Sequence, residues 1–389
     1  MFALPDSSQA RNGMTRREAL RLASFASLGA SLSGLGRPSS KASTISPDIS
    51  CIVIWLQGGM SHIDSFDPKP EAPSEFRGEF KAIDTNVPGI RISEALPKLA
   101  RLQDKYTIVR SLDPRNGTHG VADAYMLSGR MFRPSEPLPS FGSVVSKLKG
   151  GRSGMPPYVQ FGEALDHSFG AGLAGGLGRE HDPIVLNGHG AESRRCPALG
   201  DSTQLRRVIE THREDPQLRE GYGRNGLGER CLLARRLIES GVRFVTVTDS
   251  GWDTHSNQFV SLRHRLLPRL DSALSTLLQD LTDRGLLETT LVLTLSDFGR
   301  SPRINDTAGR DHWAHAGSAL IAGGGLVGGE VWGETDAKGE APFDSPCYPE
   351  DLATTLYHRL RIDPVLASTT PVEPFATNQD HGRVIGSWI

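Results

Sequence analysis

The chain has 389 residues, of which 43 are Lys or Arg and 45 are Asp or Glu, so its formal net charge is −2 at pH 7. This balance gives no general electrostatic attraction to nucleic acid or to an anionic membrane surface, and the sequence predicts neither as a partner. The four cysteines are widely spaced and form no CxxC pair, which argues against a zinc site of paired cysteines.

The amino terminus carries the features of an export signal. Arg16 and Arg17 precede the weakly apolar run LASFASLGASLSGLG, and this combination is typical of a twin-arginine signal. The run is too short and too polar to form a stable membrane span. Residues 1–42 are therefore predicted to be a signal peptide and linker, with the twin-arginine translocon as export partner and a periplasmic or cell-envelope location. The alternative is an amphipathic surface helix with a chance arginine pair.

Residues 48–389 are predicted to form one α/β domain. Apolar, β-rich segments predict strands at 50–57, 106–110, 242–248, 291–295, 320–325 and 330–332. Amphipathic segments predict helices at 93–103, before Gly129, and at 203–214, 227–240, 259–284 and 349–360. The alternation of strand, loop and helix indicates a doubly wound, mostly parallel sheet. Periodicity is lost over 132–201, which predicts an irregular cap that serves as a lid or a set of binding loops.

Four short segments rich in His, Asp and Gly hold the candidate site: GGMSHID (58–64), WDTH (252–255), SDFGR (296–300) and GRDHW (309–313). The first and third follow predicted strands directly. In an open α/β sheet, side chains at the carboxyl ends of the strands converge on one crevice. Because His and carboxylate together suit Zn, Mn or Fe, the segments predict a site for one or two divalent ions, with Ca as a further candidate.

The predicted metal ligands come from these segments: His62, Asp64, Asp253, His255, Asp297, Asp311 and His312. Asp253 and His255 are two residues apart, so on an extended chain their side chains point to the same side. A carboxylate at a strand end, such as Asp297, needs a partner or a cation. Each has a structural alternative, such as a helix cap at Asp253 or a turn at 61–64. Asp311 could instead orient a ligand, and Ser61 could be a nucleophile activated by His62.

The chain resembles the exported family called domain of unknown function 1501 over nearly its whole length. The matching segments are GGMSHIDSFDPKP (58–70), SEFRGEF (74–80), VPGIRISEALPKLA (87–100), SDFGRSPRIN (296–305), AGRDHW (308–313) and the helix at 349–358. This family is grouped with the alkaline phosphatase and sulfatase superfamily. The resemblance therefore implies an alkaline phosphatase-like α/β sheet with metals at the strand ends.

The chain departs from the superfamily pattern at two ligand positions. Asp297 matches the Asp of the superfamily motif Ser-Asp-His-Gly, but Phe298 replaces the His. Gln57 stands where the superfamily carries an acidic ligand after the first strand. His255 matches the approximate spacing of a metal-binding His in phosphodiesterase relatives.

The nucleophile position also differs. In the superfamily it precedes a Thr-Gly or Ser-Gly by ten residues, which corresponds to His119 here, beside Thr118. The resemblance thus implies that Thr118 attacks, that His119 is the nucleophile or base, or that the nucleophile is lost.

These features together predict an exported, metal-dependent hydrolase of a phosphate or sulfate ester, either a small molecule or a polysaccharide. Thr118 and His119 would face the ester, and Arg300 or Arg130 would neutralise the developing charge. Further substrate contacts are predicted at Arg303 and His315. The alternative is a non-catalytic protein that binds a sulfated or anionic polysaccharide in the same crevice. A third possibility, a structural or surface-assembly protein, has no specific feature behind it.

Overall fold

An eight-stranded sheet forms the frame of the molecule. The computed structural model describes residues 48–131, 138–186, 203–363 and 382–385, so the predicted signal peptide lies outside the described residues. In chain order the strands are β1 (Ser50–Leu56), β2 (Ala82–Asp84), β3 (Arg91–Ser93), β4 (Tyr106–Leu112), β5 (Tyr158–Gly162), β6 (Ile184–Leu186), β7 (Phe244–Asp249), β8 (Thr290–Ser296), β9 (Gly299–Arg300), β10 (His312–Trp313), β11 (Gly317–Gly323), β12 (Glu330–Trp332), β13 (Glu334–Thr335) and β14 (Pro342–Asp344).

Ten described α-helices connect or cover these strands. They are α1 (Ser74–Arg77), α2 (Pro97–Ala100), α3 (Val121–Ser128), α4 (Phe141–Lys149), α5 (Thr203–Val208), α6 (Pro216–Tyr222), α7 (Gly226–Glu239), α8 (Gln258–Ser261), α9 (Leu267–Asp283) and α10 (Pro349–Arg359). A π-helical segment, Leu262–Leu266, joins α8 to α9. Short 3-10 helices lie at Gln103–Lys105, His167–Phe169, Gly175–Leu177, Arg179–His181, Thr211–Arg213 and Leu287–Thr289. Within the described ranges, no helix has both the length and the apolar character needed to cross a membrane.

The strand order of the main sheet is β12-β4-β11-β8-β1-β7-β5-β6. Only β11 runs antiparallel to its neighbours, β4 and β8, and the other pairs are parallel. The six predicted strands are present with small shifts of their bounds. The predicted doubly wound, mostly parallel α/β sheet is confirmed.

Helices cover both faces of the sheet because its central strand is apolar on both sides. On one side Ile52 and Ile54 of β1 pack in a core with α7 and α9. On the other side Val53 and Trp55 pack with α3, α4 and α10. Successive side chains of a strand point to opposite faces, so an uninterrupted apolar strand requires a helical layer on each.

The prediction of an irregular cap over 132–201 was wrong for its described part. Residues 138–186 contain α4 and two strands of the main sheet, β5 and β6. The strand β5 is only five residues long and is closely preceded by Pro157 and ended by Gly162, so its pattern is short and masked by turn residues. The segment forms the strand β5 because it pairs with β7, which follows much later in the chain, and is buried there.

The helix predicted at 93–103 was also wrong in its extent. Ser93 belongs to β3, and the helix α2 has only four residues. The carboxylate of Asp271 in α9 accepts hydrogen bonds from the backbone N–H groups of Lys98 (3.0 Å) and Leu99 (2.8 Å). A side chain from a distant helix therefore caps α2 where it starts, in place of the predicted cap at Ser93.

Candidate functional site

Four side chains from three parts of the chain meet at the carboxyl edge of the sheet. His119 lies in the loop between β4 and α3, and Asp253 and His255 lie between β7 and α8. His312 lies in β10, which pairs with β9 just beyond the end of β8. Since β4, β7 and β8 run in the same direction, their carboxyl ends bring these residues to one place.

The carboxylate of Asp253 is the centre of this group. Its Oδ1 lies 3.0 Å from His255 Nε2 and 3.2 Å from His312 Nε2. Its Oδ2 lies 3.5 Å from His119 Nε2. The two atoms His255 Nε2 and His312 Nε2 are 2.9 Å apart. The Nε2 atoms of all three imidazoles therefore approach the same carboxylate.

In each imidazole the other ring nitrogen, Nδ1, has its own partner. His119 Nδ1 lies 2.6 Å from Asp297 Oδ2, and His255 Nδ1 lies 2.8 Å from Asp311 Oδ1. His312 Nδ1 lies 2.7 Å from the carbonyl oxygen of Gly117. Because these partners accept hydrogen bonds, each Nδ1 donates, and in a neutral imidazole this leaves Nε2 with its lone pair. This is the usual arrangement of metal-binding histidines.

This geometry suits a bound cation. Burial lowers the pKa of His312, which favours its neutral form with a lone pair on Nε2. Two such lone pairs 2.9 Å apart repel each other unless a proton or a cation lies between them. Among the described residues, His119, Asp253 and His312 form a group whose donor atoms all lie within 4.8 Å of one another. The donor set, imidazole nitrogen and carboxylate oxygen, fits a divalent ion.

Asp297 and Asp311 were predicted as metal ligands, and the structure places them behind the histidines. Asp297 is fully buried and accepts hydrogen bonds from Gly58 N–H (3.3 Å) and Ser296 Oγ (3.1 Å) besides His119. The hydrogen bond that His119 Nδ1 donates to Asp297 raises the pKa of His119. Asp311 is exposed, and its hydrogen bond with His255 lowers the pKa of its carboxyl group. Both carboxylates thus orient an imidazole.

The structure contradicts the catalytic role predicted for Arg300. Its guanidinium is fully buried and donates to the carbonyl oxygens of Gly59 (3.0 Å) and Arg310 (3.1 Å). It also donates to the Gly58 carbonyl and to Asp253 Oδ1. Burial tends to raise the pKa of Asp253, but the hydrogen bond and charge of Arg300 bring it below its usual value. Arg300 therefore keeps Asp253 ionised and in place, and it is not exposed to a substrate.

His62 and Asp64, also predicted as ligands, form other contacts and do not join the group. Asp64 is fully buried and forms an ion pair with the equally buried Arg310, with 2.7 Å between Oδ2 and Nε. His62 is buried, and its Nε2 lies 2.9 Å from the carbonyl oxygen of Gly339. The reason is tertiary: Arg310 reaches Asp64 from the loop before β10 and satisfies the carboxylate before any cation is needed.

Thr118 and Arg303 are exposed residues on loops that carry members of the group. Thr118 is exposed beside His119, and its backbone N–H donates to Asn116 Oδ1 at 2.8 Å. Arg303 is exposed in the loop that leads to Asp311, and its guanidinium has no hydrogen bond or ion pair among the described residues. Both positions are open to a substrate.

Arg130 and His315 do not join the group. Arg130 follows α3 at the end opposite to His119, and its charge acts on Tyr357 of α10. His315 is exposed, and its ring packs against Trp313 with 5.5 Å between centroids. The helix α3 separates Arg130 from the group, so the structure does not bring this predicted substrate contact to the site.

Two side chains near the group were not predicted. The ring of Phe298 packs against His119 and His312, with centroid distances of 4.8 and 4.4 Å. Asp123 is buried at the start of α3, where its burial and the charge of Asp297 raise its pKa to about 7. For Asp123 the sequence did contain a signal, because the spacing from Gly120 to Asp123 is typical of the start of a helix. No residue type signals a backbone acceptor such as the Gly117 carbonyl.

Gly58 sets the position of the Asp253 loop. It has φ of 115°, and a Cβ atom there would lie 2.5 Å from the backbone nitrogen of Asp253. We expect Gly58→Ala to displace this loop and to weaken Co²⁺ binding by about tenfold or more, as measured by titration. Gly89→Ala is the matched control, because Gly89 has φ of 86° with no atom within 4 Å of an added Cβ. Equal affinities in the two variants would contradict this expectation.

The family model described as Protein of unknown function (DUF1501) matches residues 48–201 and 192–389. The chain belongs to this DUF1501 family. None of the curated proteins matches the DUF1501 chain.

Several solved structures are similar in fold to this DUF1501 protein. The lipoteichoic acid synthase LtaP from Listeria monocytogenes is 11% identical with a TM-score of 0.41, over 82% of this chain and 73% of that one. A phosphonate monoester hydrolase from Silicibacter pomeroyi is 11% identical with a TM-score of 0.37, over 81% and 74%. A TAB5 alkaline phosphatase variant with bound Mg is 11% identical with a TM-score of 0.42, over 82% and 100%.

Proposed function

We propose that this protein is an exported, metal-dependent hydrolase of phosphate or sulfate esters. The observation behind the proposal is the convergence of imidazole Nε2 atoms on the Asp253 carboxylate, each imidazole being held by an acceptor at Nδ1. Such a preorganised donor set is costly without a cation, because lone pairs and a carboxylate face one another. Export through the twin-arginine translocon to the periplasm or cell envelope is part of the proposal.

Asp253, His255 and His312 would hold the ion. Their donors are mostly nitrogen, which favours Zn, Mn or Fe over Ca, since Ca prefers oxygen ligands. Such an ion, when bound, polarises the ester oxygen and lowers the pKa of a water or hydroxyl nucleophile. The side chains of Asp253 and His255 are each 44% exposed, so an ester reaches this group from solvent.

Other residues of the chain would serve the same reaction. Thr118 presents an exposed hydroxyl beside the site, and a water molecule is the alternative nucleophile. Arg303 offers an unpaired, exposed guanidinium for an anionic ester from the neighbouring loop. The ring of Phe298 covers the inner side of His119 and His312, which keeps water from approaching them from behind.

The test is elemental analysis of the full chain purified without chelator, followed by assays with aryl phosphate mono- and diesters and an aryl sulfate. We expect at least one equivalent of Zn, Mn or Fe, with turnover lost on chelation and restored by the ion. A protein that takes up no ion on reconstitution and cleaves none of these esters would contradict the proposal. Binding of a sulfated glycan without turnover would then support the alternative, a non-catalytic polysaccharide-binding protein.

A further inference from the structure

The hydrogen bonds and ring contacts of His119 indicate its role. Its Nδ1 donates to the buried carboxylate of Asp297, as His255 Nδ1 donates to Asp311 and His312 Nδ1 to a backbone carbonyl. The three imidazoles come from different parts of the chain and yet share one arrangement, with Nδ1 anchored and Nε2 directed at Asp253. His119 is therefore held in the same way as the other two histidines.

The donor separations agree with a single ion. With ligand bonds of about 2.1 Å, donors at right angles lie about 3.0 Å apart and tetrahedral donors about 3.4 Å apart. The separations of 2.9 Å (His255 to His312), 3.0 Å (His255 to Asp253) and 3.2 Å (His312 to Asp253) lie in or near this range. His119 Nε2 approaches the other oxygen of this carboxylate, Oδ2, at 3.5 Å. Its donor atom and those of Asp253 and His312 all lie within 4.8 Å of one another.

The same contacts oppose a nucleophilic role for His119. Its ring packs between Phe298 and His312 and is tied to Asp297, so it has little freedom to turn. A nucleophile needs the reacting atom in line with its lone pair, at about 3–3.5 Å. At that distance from Nε2 lies the Asp253 carboxylate, which would also repel an anionic ester.

We propose that His119 is a ligand of the ion, so that one ion is held by four protein side chains: His119, Asp253, His255 and His312. This inference rests on the proposed function. Asp297 then acts as a positioning residue for His119. The fixed cation next to Asp253 is the buried guanidinium of Arg300, and among the described residues there is no second group of three or more metal-ligating side chains. Thr118 or a water molecule is then the nucleophile.

The experiment measures ion binding by the full-length protein. Metal-free wild type and variants are titrated with Co²⁺, followed by visible absorption, and with Zn²⁺ in competition with a chromophoric chelator. We expect one equivalent in the wild type and an affinity lower by about 100-fold or more in His119→Ala, with a changed Co²⁺ spectrum. Asp297→Asn should lower the affinity by about 10–100-fold at unchanged stoichiometry. His315→Ala is the control and should bind as the wild type does.

A wild-type measurement keeps the inference testable if His119→Ala does not fold. X-ray absorption of the Zn²⁺-loaded protein counts coordinated imidazoles, and we expect three. Two imidazoles, an unchanged affinity in His119→Ala, or acid-labile labelled phosphate on His119 in quenched wild-type reactions would overturn the inference while leaving the proposed function in place. If the wild type binds neither ion, the proposed function and the inference both fail.

Discussion

Asp253→Asn is expected to abolish both ion binding and ester hydrolysis. Asp253 lies within 3.5 Å of all three imidazoles of the site and forms an ion pair with Arg300. An amide is a much weaker ligand than a carboxylate and leaves the buried Arg300 charge unpaired. Because a bound metal contributes several kcal/mol of transition-state stabilisation, we expect turnover to fall by about 10³-fold or more.

The measurements are Co²⁺ titration and initial rates with the best substrate of the aryl ester panel. Asp306→Asn is the matched control, since it makes the same chemical change at an exposed position of the loop at 301–309. We expect Asp306→Asn to leave both quantities unchanged. Ion binding and turnover at wild-type levels in Asp253→Asn would show that Asp253 is not a ligand of the ion.

Asp64→Ala is expected to give the largest loss of stability among these variants. Asp64 and Arg310 are both fully buried, with 2.7 Å between Oδ2 and Nε and 3.3 Å between Oδ1 and Nη2. Ser61 Oγ (2.6 Å) and Gln258 Nε2 (2.7 Å) also donate to this carboxylate. Removing one partner of a buried pair leaves an uncompensated charge, so the free energy of unfolding should fall by about 3–5 kcal/mol.

Denaturant unfolding monitored by circular dichroism measures this change. The control is Arg224→Gln, which breaks an exposed ion pair with Glu220 and should cost at most about 0.5 kcal/mol. The double variant Asp64→Leu with Arg310→Met should recover part of the loss, because no buried charge is then left unpaired. A loss below about 1 kcal/mol in Asp64→Ala would show that the pair is not needed for the fold.

Much of the fold was predictable from local pattern. The segment that became β1 is apolar on both faces, and the segment that became β8 carries only Thr and Ser beside its apolar residues. Such segments predict strands buried on both sides of a parallel sheet. Asp253 and His255 follow β7 and Asp297 follows β8, and the topology of a parallel sheet is enough to place all three at one edge. The same approach missed β5 and β6, since short strands between turn residues carry too little periodicity.

The fold class, the strand ends and the group of His and Asp side chains at the carboxyl edge all follow from sequence pattern. Which of these side chains face the candidate ion depends on tertiary contacts. Arg310 pairs with Asp64 and removes it from the site, while Asp297 and Asp311 each hold an imidazole that faces Asp253. Residue type determines which groups can bind a metal. Which of them remain free to do so depends on the hydrogen-bond partners supplied by distant loops, and local spacing does not encode those partners.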